Sequence, residues 1–333
     1  MTKFFNIDLQ LFADATIPNY NPQTTGHEGL SVENKTYYDM NLIKEAQANL
    51  VHDQFGQKRP SPKNGGKKIE FRKFGSLPKA TTPLTEGVTP DGKNLEVTSI
   101  EATVAQYGDY ITQTDVLELT SIDNTIVEAT TMLGNQAGLT LDTITRNVLQ
   151  SGTNIMFCPK ADGTEVTAPE GLDKTCKLTA KQVKRAAAIL KKVNAPKIDG
   201  SYVAIIHPFV AYDLQNDPEW IEAHKYATPE NIYEGELGKL GGVRFVESSE
   251  AKVYENGVFG CLFMGANAYG VTEITGGGLQ TIIKQKGSAG TADPLDQRSS
   301  IGWKAMKTAE ILVQPYILRV MCMSELSEDV EAN

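Results

Sequence analysis

Two runs of alternating residues frame a gap that few folds can use. In 69–74, Ile69, Phe71 and Lys73 alternate with Glu70, Arg72 and Phe74; in 96–107, Ile100, Ala102 and Val104 share one face. A period of two is that of a β-strand. Between the runs lies GSLPKATTPLTEGVTPDGKNL, residues 75–95, rich in Thr, Pro and Gly and without apolar periodicity. Structureless loops beyond about 12–15 residues are functional or disordered, and a two-stranded ribbon is marginal by itself. The spacing therefore predicts a long two-stranded finger, held by something outside its own domain.

The rest of the chain reads as a mixed α+β protein. Residues 1–30 hold turn formers (Pro18, Asn19, Asn21, Pro22, Gly26, Gly29) and little periodicity, an extended arm. Ser31 offers an N-cap to a helix of about five turns, with Tyr38, Leu42, Ala46 and Leu50 on one side and Gly56 as its stop. Asp123 caps a long helix to about Gln150, with an apolar stripe through Ile126, Val127, Met132, Leu133, Ala137, Leu141, Ile144 and Val148. Gly134 and Gly138 lie inside it, where each costs about 1 kcal/mol against Ala; close packing or a bend would explain them. Thr179 caps a third helix, ended by Asn194 and Pro196, whose outer face of Lys181, Lys184, Arg185, Lys191 and Lys192 reads as a solvated surface. A buried strand at 201–207 precedes Pro208, the first residue of another helix. Strand-like runs follow at 243–247, 258–264, 268–274, 278–285, 308–313 and 316–323, and the acidic tail ELSEDVEAN is expected to fray.

Composition excludes several classes. With 32 Lys and Arg against 41 Asp and Glu, the net charge is −9. Phosphate neutralisation needs excess base, so this is no general nucleic-acid binder. The one strongly basic stretch, KRPSPKNGGKKIEFRK at 58–73, reads as a solvated loop and strand edge. No apolar run approaches the ~18–20 residues of a membrane span. Asn6, Asp8 and Gln10 interrupt what would be a signal-peptide core. Cys158, Cys176, Cys261 and Cys322 are too far apart for a zinc knuckle or a CxxC and read as buried reduced thiols. The four histidines are scattered, and His207 reads as a strand–helix junction. No HExxH, GxSxG, Walker A or GxGxxG motif occurs. The Gly276–Gly278 run and the Asp293–Asp296 pair are explained by turns. No catalytic, cofactor or metal residue is assigned, and an enzyme is the minority reading.

Distributed segments carry a family likeness: LSVENKTYYDMNLI (30–43), LVHDQFGQKRPSPKNGGKKIEFRKF (50–74), PLTEGVTP (83–90), QYGDYITQTDVLEL (106–119), YVAIIHPFVAYDL (202–214), GELGKLGGVRFVES (235–248) and DPLDQRSSIGWK (293–304). Over roughly 30–320 the chain resembles the major capsid proteins of tailed bacteriophages, in the N-four-like group. The resemblance implies the Johnson, or Hong Kong ninety-seven-type, capsid fold. Its parts would be an N-terminal arm and helix (1–66), an extended loop or finger (67–112), a peripheral domain with its spine helix (113–160), an axial domain (161–290), and return strands with the acidic tail (291–333).

That family implies a subunit that assembles with copies of itself, as hexamers and pentamers, into the icosahedral shell of a virion enclosing double-stranded DNA. Assembly would take place in the host bacterial cytoplasm. The finger would begin by Lys67 with no scaffolding segment before it, which implies a separate scaffolding protein; a portal protein at one vertex completes the set, DNA contact is weak and non-specific, and no membrane is involved. Candidate inter-subunit contacts are Arg72, Leu77, Leu84, Glu86 and Val88 in the finger, and Asp296 and Arg298 in 293–304. The alternative is an encapsulin-like compartment storing an enzyme cargo.

Overall fold

The computed structural model describes residues 40, 42–46, 49–60, 67–74, 77, 79–84, 86–87, 89, 92–95, 97–120, 125–225, 238–273, 278–288 and 293–333. The expected arm at 1–30, the caps Ser31 and Asp123, and most of the Gly276–Gly278 run lie outside them. The chain divides into two units, one of 1–45, 108–135 and 280–304, the other of 46–107, 136–279 and 305–333.

In chain order the elements are helical residues 42–46 (α1), β1 (Gln57–Arg59), β2 (Lys68–Phe74), β3 (Val97–Thr103), β4 (Ala105–Thr114), α2 (Asp115–Thr120), α3 (Thr125–Gln150), β5 (Ile155–Phe157), α4 (Ala180–Lys192), β6 (Tyr202–Ile206), α5 (Pro208–Gln215) and α6 (Pro218–Lys225). There follow β7 (Lys239–Leu240), β8 (Val243–Glu247), β9 (Val253–Tyr254), β10 (Val258–Met264), β11 (Tyr269–Thr272), β12 (Leu279–Lys284), β13 (Arg298–Lys307), β14 (Ala309–Ile311) and β15 (Ile317–Cys322).

The larger unit is built on a sheet ordered β5-β15-β10-β6-β8-β7, with β9 also on β10. Its centre is buried on both faces, so β6 and β10 are continuous apolar runs, not alternating ones. Period two still sorts the side chains. Tyr202, Ala204, Ile206, Phe259, Cys261 and Phe263 join the core that includes Val183, Ala187 and Leu190 of α4. Val203, Ile205, Leu262 and Met264 join a second core with Leu149, Tyr269 and Ile311. All four cysteines are buried and free, with Cys261 and Cys322 sulfurs 3.7 Å apart; the hydrogen bond with Cys322 pushes the Cys158 thiol up, and burial adds to that.

A smaller sheet, β1-β11-β14, pairs β1 parallel to β11. The two-stranded β2-β3 ribbon stands apart, in register from Lys68 opposite Thr103 to Phe74 opposite Val97. In the other unit β12, β13 and β4 form a three-stranded sheet. A Cβ on Gly302 would lie 2.7 Å from the Tyr110 Cβ and 2.8 Å from the Asp109 carbonyl, so Gly lets the backbones of β13 and β4 approach.

Several expectations are corrected. The first helix does not run to Gly56: residues 51–56 form turns, because His52 and Asp53 are drawn inward and are buried. The alternating run 96–107 is two strands, broken at Val104, whose N–H donates to the Lys67 carbonyl; β4 then pairs elsewhere. Thr179 makes no side-chain cap; the first N–H of α4, on Ala180, donates to Asp217 Oδ2 at 2.7 Å. His207 is the junction residue expected, its Nδ1 accepting from the Phe209 N–H at α5.

The long helix α3 is rotated from the expected stripe. Met132 is 65% exposed, and the buried side adds Thr130, Asp142, Thr145, Arg146 and Gln150 to Leu133, Ala137, Leu141 and Leu149. These polar groups are admitted because several find partners: Gln150 Nε2 donates to the Gly260 carbonyl at 2.6 Å, and an Arg146 Nη1 to that of Glu250 at 2.8 Å. The helix glycines mark close packing. A Cβ on Gly138 would lie 2.6 Å from the Ala46 carbonyl, and one on Gly134 2.9 Å from the Glu45 Cβ.

The acidic tail does not fray. Val253 N–H donates to Asn333 Oδ1 at 3.0 Å, and Asn333 Nδ2 donates to the Ala251 carbonyl. Lys177 pairs with Glu325 at 2.7 Å, and Lys174 with Glu328. Each lysine holds its glutamate carboxyl below the ordinary range. A depressed carboxyl stabilises docking above its ordinary pKa of about 4.3 and loses that contribution as pH falls through the lower folded value. Acidification from pH 6 to pH 3 is therefore expected to release 324–333 first. Hydrogen exchange would report it, and uniform exchange of the tail and β15 across that range would contradict it.

Candidate inter-subunit surface

The finger is anchored at one end and unsupported at the other. At its base Ile69, Phe71 and Ala102 pack with Leu312. The Phe71 ring lies directly on the backbone of Gly270 in β11, where a Cβ would collide with it. Beyond Phe74 the described residues carry no regular structure and are exposed. Leu77 is 60% exposed, Leu84 78% and Leu95 62%. Apolar side chains this open, carried on an extension of the ribbon with no regular structure, are candidates for a contact site.

Two of the cations along the ribbon are answered within it. Lys68 donates to Glu101 across the strands, and Arg72 Nε lies 3.5 Å from Glu70. These pairs are exposed and weak. The basic stretch 58–73 is thus partly neutralised by its own strands; residues 61–66 lie outside the described residues.

Of the expected contact residues, Arg72 sits on β2, Leu77 and Leu84 on the exposed extension, and Glu86 in a turn with Gly87, whose φ of +79° favours glycine. Val88 lies outside the described residues. Asp296 and Arg298 come together in the other unit. There Asp293 organises a turn: its carbonyl accepts from Asp296 N–H at 3.1 Å and its Oδ2 from Arg298 N–H at 2.7 Å. Leu295 in that turn is 75% exposed and was not anticipated.

The sequence reading also missed a buried polar cluster beneath the finger base. Asp53 accepts from Thr145 Oγ1 at 2.6 Å and from Lys307 Nζ. Asp142 accepts from the His52 N–H at 2.7 Å and pairs with His52 Nδ1 at 2.6 Å, while the Tyr269 hydroxyl donates to the His52 carbonyl. Burial lowers the Lys307 pKa, and Asp53 opposes that shift. The cluster ties the 49–56 turn to α3, β11 and β13. Its only signal in the sequence is polar residues on the buried side of a long helix.

Among the described residues no group of three or more His, Cys, Asp or Glu side chains is placed to hold a metal, and no helix is long and apolar enough to cross a membrane.

Residues 143–289 match the phage capsid protein family. No protein of curated function matches the sequence. Solved structures do match in fold. The capsid of cyanophage P-SCSP1u superposes with a TM-score of 0.64 at 16% identity, covering 83% of this chain and 89% of its own. The capsid of Ralstonia phage GP4 gives 0.62 at 14%, covering 83% and 88%. The capsid subunit of cyanophage Pam1 gives 0.62 at 13%, covering 90% and 97%. The expected likeness to tailed-phage major capsid proteins is borne out by sequence family and by fold. Residues 143–289 thus match the phage capsid protein family, and the chain has the Hong Kong ninety-seven-type fold found in those phage capsid structures.

Proposed function

We propose that this chain, as the major capsid protein of a tailed phage or prophage, closes as hexamers and pentamers into the icosahedral shell around double-stranded DNA. The observation that carries this reading is the finger. Its base is packed into its own subunit through Phe71, while Leu77, Leu84 and Leu95 project with nothing of their own to cover them. A neighbouring copy is the occupant that the fold supplies. Arg72, Leu77, Leu84, Glu86 and Val88, with Asp296 and Arg298, are the proposed contacts. Many modest overlaps repeated round a closed shell give avidity without large flat faces.

A separate scaffolding protein guides closure, a portal protein occupies one vertex, and assembly proceeds in the host bacterial cytoplasm. The role is structural, not catalytic. The −9 charge keeps DNA contact weak and non-specific. An encapsulin-like compartment would share the architecture; the phage capsid family match over 143–289 favours the viral shell. Co-expression with the scaffolding protein should give closed particles by electron microscopy. Monomers at every protein and salt concentration, with scaffold present, would overturn the proposal.

A further inference from the structure

Helix α4 carries a charge pattern that the proposed finger contacts do not involve. Its exposed positions are Lys181, Lys184, Arg185, Ala188, Lys191 and Lys192, one continuous face of a helix. The opposite face, with Val183, Ala186, Ala187 and Leu190, is buried in the core. Every exposed position but Ala188 is basic, and the helix contains no acid.

Two of these cations are answered from elsewhere, Lys184 by Glu219 and Arg185 by Glu165 at 3.3 Å. Lys181, Lys191 and Lys192 have no acidic partner among the described residues. In a chain with 41 acids for 32 bases, composition does not force that. Helix electrostatics explain only part of it. Lys191 and Lys192 favour the negative C-terminal end, but Lys181 sits in the first turn, against the positive end. Exposed Lys239 extends the patch, since the adjoining Gly241 lies against Lys184.

The make-up of the face selects its partner. Protein-docking surfaces are anchored by aromatic residues, Met and Arg, and are depleted in Lys. This face is mostly lysine with no apolar anchor. Flexible point charges suit phosphates, which position a duplex without reading its sequence. From Lys181 to Lys192 the face runs about 16 Å at 1.5 Å per residue, along which a duplex presents one charge per ~1.7 Å.

We propose that the outer face of α4 is where this coat meets duplex DNA, through phosphate contacts alone, and so faces the shell interior; the interior placement rests on the capsid reading above. The test uses the unassembled full chain and a 5′-labelled random-sequence duplex, with anisotropy followed against salt. Three released counterions give a log–log slope near −2.7, or roughly a 40-fold loss of affinity between ~50 and ~200 mM salt. The variant K181Q/K191Q/K192Q, checked for folding by circular dichroism, should lose at least tenfold in affinity at the lower salt and most of the slope. The finger variant K67Q/K73Q/K79Q carries the same charge change and should keep both. An unchanged slope in the α4 variant, or loss in the finger variant instead, overturns the proposal. Poly-glutamate competing as well as duplex at equal charge would assign the face to an acidic protein and overturn it too. Because binding is read before assembly, a failure to form particles bears on the capsid reading and not on this contact.

Discussion

Replacing residues 76–94 with a short Gly-Ser turn is expected to leave a folded subunit that forms no stable shells. The base of the finger does not depend on the deleted part: β2 and β3 pair over their full length outside it, and Ile69, Phe71, Ala102 and Leu312 make their own cluster. Shortening the connection lowers its closure entropy by only about 1 kcal/mol, in the stabilising direction. What disappears is the exposed reach, with Leu77, Leu84 and Glu86. A few buried anchors carry most of a protein interface, and in a shell the same loss recurs at every repeat. Circular dichroism and a thermal melt should match the parent while electron microscopy with scaffold shows no particles. Normal particles from the deletion would make the finger dispensable; an unfolded subunit would place it in the core.

How much of this was legible in the sequence depended on whether chemistry was local. The finger strands, β8 and β10 were readable because period two, or an unbroken apolar run, needs only neighbouring residues. The long helix was readable in extent, but its buried side was not. Asp142, Thr145 and Arg146 look like surface residues until Asp53, His52 and Glu250 arrive from other segments. The same blindness hid β13: Gly302, Lys304 and Lys307 break the apolar pattern, although Lys307 points inward. The docked tail was missed because its stability is supplied by distant Lys177, Lys174 and Val253. The exposed ribbon proposed as the contact surface was legible as a finger, since a long Thr-, Pro- and Gly-rich stretch between strands is anomalous by itself. The exposed Leu295 was not, because one leucine in a turn has no pattern around it.

The largest stability effect is expected at Lys307→Met. Lys307 is buried with its ammonium on Asp53, and the Thr145 hydroxyl also donates to that carboxylate. Met fills much of the same volume, so the change removes a charge and leaves the packing largely intact. It strands the Asp53 carboxylate in a site already made acidic by Asp142, which engages His52. Breaking a buried pair from one side costs about 3–5 kcal/mol, far more than the pair contributes net, because the remaining charge is uncompensated. Lys307→Met/Asp53→Asn should therefore be more stable than Lys307→Met alone, as the amide keeps an acceptor for Thr145 and brings no charge. Urea unfolding of the unassembled chain gives all corners of the cycle, and non-additivity above ~1 kcal/mol is the expected result. A loss below ~1 kcal/mol in the single variant, or strict additivity, would mean that the carboxylate is not held by Lys307. The result reaches assembly as well, because Asp53 and His52 lie in the turn that leads into β1, and β1 pairs with β11, on which the Phe71 ring rests. If the cluster sets that platform, Lys307→Met should expose the finger base to hydrogen exchange earlier than the sheet centre at β6 and β10. Simultaneous exchange at both places would confine its role to global stability.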